Sequence, residues 1–303
     1  MRSLSFLTVA FAFMGCDEPA TEVDASLARD AASAEDAGPR DAGLVDAGLV
    51  DAGDAAVAPR DAGPPMGALP PANGPLDYQL GASYPPPAGV VVLARDREAR
   101  PAEGLYTICY VNGFQTQPHE RAFWEREHPD LLLRDGSGAL VIDPDWDEIL
   151  LDVRTPERRA ALATVVGGWI DGCADAGFDA IEIDNLDTYA RSSGLIREDD
   201  AVAFMRLLSD RAHARGLPIA QKNSAEIVSR RAAMGTDFAV VEECNRWDEC
   251  DVFTGAYGDH VYVIEYRRAD FDRGCRDFPQ LSIVLRDLNL VAPGSAGYVY
   301  DGC

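Results

Sequence analysis

"GFDAIEIDNLDTY", residues 177–189, opens as a buried strand and closes as a polar surface. From Ala180 the side chains alternate: Ile181 and Ile183 fall on one face, Glu182 and Asp184 on the other. The run then ends on Asp184, Asn185 and Asp187, three acidic or amide groups within four positions. A strand that leaves an apolar core in this way fits the C-terminal rim of a (β/α)8 barrel, where the βα loops open to solvent. The isoleucines suit a helix-covered exterior, so Asp184 is expected to point into the mouth.

The sequence on either side repeats the pattern. Strand-like runs lie at 77–80, 90–94, 106–111, 180–184, 218–222, 238–243, 261–266 and 281–285. Helical periodicity fills the later intervals. Residues 155–177 place Thr155 as N-cap, Pro156 at the first helical position and Gly177 as the stop, and residues 198–216 begin acidic, end basic and close on Gly216. Short apolar strands alternating with amphipathic helices mean a parallel sheet, and eight of them predict an α/β protein of the (β/α)8 TIM-barrel type. The first two crossovers, "GASYPPPAG" and "RDREARPAEG", are too short and proline-rich for full helices, so irregularity is expected there. A doubly wound open sheet is the alternative topology.

Ahead of this region the composition is different. Residues 1–15, "MRSLSFLTVAFAFMG", combine Arg2 with an apolar run too short to span a bilayer, and Cys16 follows a glycine. This reads as a signal peptide and a lipidation site at Cys16. Residues 16–75 then repeat Asp-Ala-Gly with a five-residue period at Asp36, Asp41, Asp46 and Asp51. Without aromatic residues or any helical or strand period, this segment is expected to be a disordered tether. The folded domain is drawn at 76–303, and the protein as exported, either a bacterial cell-envelope lipoprotein or secreted. Removing Cys16 from the seven cysteines leaves an even six, as disulfides in an oxidising compartment require, with Cys244–Cys250 as the local pair.

Charge narrows the partners. Outside the tether and signal the chain carries 39 acids against 23 bases, a net charge of −16. Phosphate-led nucleic-acid binding is therefore excluded, and a cationic or neutral partner favoured. The membrane would be met through the lipid anchor only. His119, His128, His213 and His260 show no ligand spacing, no glycine-rich phosphate motif follows a strand, and "DPDWDE" at 143–148 reads as a solvated acidic loop. No cofactor or metal is expected. The strand ends instead supply polar and acidic groups: Asp184, the Gln221-Lys222-Asn223 run, Glu242 with Glu243, and Glu265 with Tyr266. Two carboxylates facing across a cleft are what glycoside hydrolysis needs, and Asp184 with Glu242, on strands four and six, is the chosen pair.

Taken in order, "DYQLG" (77–81), "CYVN" (109–112), "GFDAIEIDNLD" (177–187), "AQKN" (220–223) and "VEECNRWDEC" (241–250) resemble the endo-α-1,4-polygalactosaminidases, glycoside hydrolase family 114, over about residues 77–303. The resemblance implies a barrel that cleaves α-1,4-linked galactosamine, a cationic polymer, with Asp184 and Glu242 catalytic. Glu243 stays open as the alternative catalytic glutamate. Tyr110, Asn185, Asp187, Lys222, Asn223, Glu243, Glu265 and Tyr266 are the expected substrate contacts, and Glu182 is expected to pair with Lys222 inside the barrel. The competing reading is a catalytically silent carbohydrate-binding barrel lipoprotein.

Overall fold

Eight parallel strands follow one another around a barrel in chain order: β1 (Leu76–Gln79), β2 (Val92–Asp96), β3 (Tyr106–Asn112), β4 (Ala180–Asp184), β5 (Ile219–Lys222), β6 (Phe238–Glu242), β7 (Val261–Glu265) and β8 (Ser282–Arg286). The computed structural model describes residues 65–303; Cys16 and most of the expected tether lie outside the described residues. Each strand pairs in parallel with the next, and β8 lies against β1, which rules out the doubly wound alternative. The two do not zip together. Arg286 bridges the seam with its side chain: Nη1 donates to Asp77 Oδ1 at 2.8 Å and to the Tyr78 carbonyl, and Nε to the Val299 carbonyl at 3.1 Å. Outside the seam, β9 (Tyr300–Gly302) pairs antiparallel with β8, an edge strand too short for its sequence to announce.

Alternation sorts each strand into two layers. Tyr78, Ala94, Ile108, Ala180, Phe238 and Tyr262 pack inside the barrel, while Cys109, Ile181, Ile183, Val241 and Val263 pack outward under the helices. Those helices are α1 (Arg121–Glu127), α2 (Pro156–Ala176), α3 (Glu198–Ala214), α4 (Cys250–Tyr257) and α5 (Arg268–Asp277). Thr155 caps α2 by accepting from the Arg158 amide, and Gly177 ends it with φ of 91°, so both signals in the sequence act as expected. No helix occupies the β1–β2 or β2–β3 crossover, matching their proline content.

Three disulfides, Cys109–Cys173, Cys244–Cys250 and Cys275–Cys303, tie β3 to α2, close the loop after β6, and fasten α5 to Cys303. Residues just before β1 lie on the barrel floor, where the Tyr106 and Tyr262 hydroxyls donate to the Ala68 and Pro70 carbonyls at 2.7 and 2.6 Å. One loop reading needs correction. "DPDWDE" is the turn of an antiparallel hairpin, Ile142–Asp143 with Glu148–Ile149. Asp145, Trp146 and Asp147 are solvated at its tip, but Asp143 and Glu148 are buried because Gln115, Arg191 and Asn112 donate to them.

Candidate active site

The inward-facing ends of β4, β5 and β6 meet at the mouth on one cation. Lys222 Nζ lies 3.0 Å from Glu182 Oε1, 3.4 Å from Asp184 Oδ1 and 3.2 Å from Glu242 Oε2. Below it Tyr78 completes a buried base: its hydroxyl donates to Glu182 Oε1 at 2.6 Å and accepts from Lys222 at 3.0 Å. Glu182 thus sits inside the barrel as the partner of Lys222, as its position on β4 required. Each upper carboxylate also receives a phenol, Tyr110 onto Asp184 Oδ2 at 2.8 Å and Tyr266 onto Glu242 Oε1.

Local backbone explains why these side chains point into the cleft. The residues that follow the strand ends, Asn185, Asn223 and Glu243, have φ of 66°, 45° and 57°. A left-handed residue turns the chain sharply away and leaves the preceding carboxylate or amine at the rim; asparagine tolerates this readily. Both asparagines also hold the pair. The Asn185 amide donates to Asp184 Oδ1 at 2.8 Å, and Asn223 accepts the Glu242 amide at 2.8 Å while its side-chain nitrogen lies 3.3 Å from Glu242 Oε2.

Electrostatics follow from this packing. Burial works to raise the pKa of Asp184, but Lys222, the Asn185 amide and Tyr110 outweigh it and hold the carboxyl below its usual range. Burial works to lower that of Lys222, and Asp184, Glu242, Tyr78 and Glu182 outweigh it, so the ammonium is held charged. Glu182, fully buried, is raised by that burial, with Lys222 pulling the other way.

A cleft of about 400 Å³ opens above the cluster, lined by Asp184, Asn185, Asp187, Lys222, Asn223, Glu242, Tyr110 and Tyr266 among others. Asp187 is tied to Arg191 on its wall. Two further cavities continue the cleft on either side. One of about 470 Å³ shares Asp96, Gln117 and Glu148 with it and adds Glu98 and His119. The other, of about 320 Å³, shares Trp146, Glu242 and Tyr266 and adds Glu243, Trp247 and Glu249. Trp146 and Trp247 are 57% and 59% exposed, flat apolar faces of the sort on which sugar rings rest.

Two expected contacts lie elsewhere. Glu243 is ion-paired with Arg246 at 2.7 Å and reaches only the outer cavity. Glu265 is not at the cleft. It faces outward from β7 and is fully buried, its Oε1 accepting from the Asn245 amide and side chain at 2.9 and 3.0 Å. Conversely, Tyr78, Asp96, Trp146 and Glu148 line the cleft without having been anticipated. Period two on β1 would have shown Tyr78 inward, but nothing in the hairpin's two-residue strands could reveal Glu148.

A parallel barrel with paired carboxylates at the ends of β4 and β6, at the floor of an acidic groove flanked by exposed tryptophans, defines a glycoside hydrolase. The chain belongs to glycoside-hydrolase family GH114, whose profile matches residues 56–303. Among solved structures, Aspergillus fumigatus Ega3 in complex with galactosamine is similar at 22% identity and a TM-score of 0.61, over 78% of this chain and 98% of that one. The glycoside hydrolase domain of PelA from Pseudomonas aeruginosa is similar at 15% identity and a TM-score of 0.51, over 73% and 98% respectively. No curated protein matches the chain.

Proposed function

We propose that this glycoside hydrolase cleaves α-1,4-linked galactosamine polymer, with Asp184 as nucleophile and Glu242 as general acid. The observation that carries the reading is the Lys222-bridged pair in a cleft where five carboxylates, Asp96, Glu148, Asp184, Asp187 and Glu242, face only Lys222 and Arg191. Such a cleft attracts a polycation, and the similar Ega3 was crystallised with galactosamine. Asp184, held ionised, attacks the anomeric carbon while Glu242 gives its proton to the departing glycosidic oxygen. A water that returns its proton to Glu242 then hydrolyses the glycosyl ester.

The two contacts of Lys222, 3.4 and 3.2 Å, limit Asp184 Oδ1 and Glu242 Oε2 to a separation of at most about 6.6 Å. Retention calls for carboxyls about 5–5.5 Å apart and inversion for about 6.5–9.5 Å, and this bound admits the closer spacing that the double-displacement route needs. A silent carbohydrate-binding barrel would have no need to keep both carboxylates. With α-1,4-galactosamine oligomers, Asp184→Asn and Glu242→Gln are each expected to lose at least about a thousandfold in turnover without unfolding, while Glu243→Gln stays near wild type. Substantial hydrolysis by either amide variant removes that residue from its role. The same reading has the enzyme exported and anchored through Cys16. Detergent partitioning is the check: Cys16→Ser should move to the aqueous phase, and equal partitioning of both forms excludes the anchor.

A further inference from the structure

Glu148 is a carboxyl without a cation. It stands on the hairpin above the barrel mouth and is only 9% exposed, yet it takes part in no ion pair among the described residues. Its Oε2 accepts from Asn112 Nδ2 at 2.9 Å, and Asn112 Oδ1 in turn accepts from Asn185 Nδ2 at 2.9 Å, beside Asp184. Glu148 is therefore fixed to the same frame as the catalytic pair. Its other oxygen has no partner among the described residues, and the residue lines both the central cleft and the adjoining cavity with Asp96 and Gln117.

The groups around it explain why no protein cation answers it. Arg191 is the nearby guanidinium, and its two terminal nitrogens are engaged by Asp143 at 2.9 Å, by Asn185 Oδ1 at 3.0 Å and by Asp187. The remaining neighbours, Asp184 on β4, Asp143 on its own hairpin and Asp96 on β2, are acidic; farther out, His119 lies 3.4 Å from Glu98. A buried carboxyl that lines a ligand cleft without a direct ion pair is costly to ionise, and a cation entering the cleft would offset that cost.

We propose that Glu148 is the specificity-determining residue that reads the ammonium group of an amino sugar bound beside the catalytic pair. This rests on the function proposed above and names the feature of the substrate that the site selects. Burial pushes the Glu148 carboxyl up to about 7, with Asp184 and Asp143 adding to the rise and the Asn112 donor and the more distant Arg191 charge pulling it down. An arriving ammonium stabilises the ionised form, so binding releases a proton. A neutral N-acetylated sugar gives no such release and leaves a protonated carboxyl in place.

The test compares wild type and Glu148→Gln on an α-1,4-galactosamine oligomer and on its fully N-acetylated counterpart. The variant is expected to raise KM for the amine oligomer at least about tenfold with little change in kcat, and to leave the neutral oligomer unaffected. Wild-type calorimetry at pH 6 in two buffers of different ionisation enthalpy supplies a readout that needs no turnover: proton release with the amine oligomer and none with the neutral one. Equal KM changes on both substrates, or binding of the amine oligomer without proton release, overturns the assignment. If wild type cleaves neither oligomer, the proposed function fails on its own. The calorimetry, repeated on Glu148→Gln, still decides Glu148: proton release accompanies binding whether or not cleavage follows, and release that persists in the variant belongs to another cleft carboxyl such as Asp187 and overturns the assignment.

Discussion

Lys222 serves three carboxylates with one ammonium, so its removal has consequences that can be separated. Glu182 and Lys222 are 0% and 2% exposed, and breaking a buried pair by deleting one partner costs about 3–5 kcal/mol because the other charge is left uncompensated. Lys222→Met should therefore lower the denaturant midpoint sharply and stop turnover. Adding Glu182→Gln removes the most deeply buried stranded charge, and the double variant is expected to recover part of the stability while staying inactive, since the ammonium that ties Asp184 to Glu242 is gone. Recovery of turnover together with stability would reduce Lys222 to a structural residue. Measuring both quantities on the single and double variants distinguishes the two cases.

At the scale of the element, β4 depends on a residue outside it. Gly113, just past β3, has Ile183 so close that an added Cβ would lie 2.5 Å from Ile183 Cγ2. Gly113→Ala should overpack the β3–β4 contact by about 1–3 kcal/mol and, because Ile183 precedes Asp184, lower kcat as well. A melting curve with turnover measured on the same sample checks this, and unchanged values for both would show that the strands yield freely. β4 itself was legible to the residue because alternation and its polar end agree, whereas other strands slide by one or two, β2 to Val92–Asp96 and β8 to Ser282–Arg286. The Glu242 and Glu265 readings show what decides a site. Phe238, Val240 and Glu242 share the inner face of β6, so period two supports Glu242 over Glu243. Applied to β7, the same rule places Tyr262, Ile264 and Tyr266 inward and Glu265 outward, so an acidic strand end was weighed there without its parity. Glu148 had no such signal, because its position depends on Asn112 across 36 residues of chain.

Across the whole molecule the barrel is held shut by a side chain where its ladder stops. Arg286 and Asp77 are both fully buried, and Arg286→Met is expected to cost about 3–5 kcal/mol. Hydrogen exchange should show the amides of β1 and β8 opening ahead of those of β4, β5 and β6; uniform protection around the ring would contradict a weak seam. The seam also orders events in time. Arg286 is 209 residues beyond Asp77, so at about 5–20 residues per second a ribosome leaves β1 without its closing partner for roughly 10–40 s. An unmatched strand edge in a half-made chain invites mispairing with its neighbours. β1 is ill suited to that error, being four residues long with a carboxylate at its second position. The charge that later receives Arg286 would, until then, act as a gatekeeper against aggregation on the nascent chain.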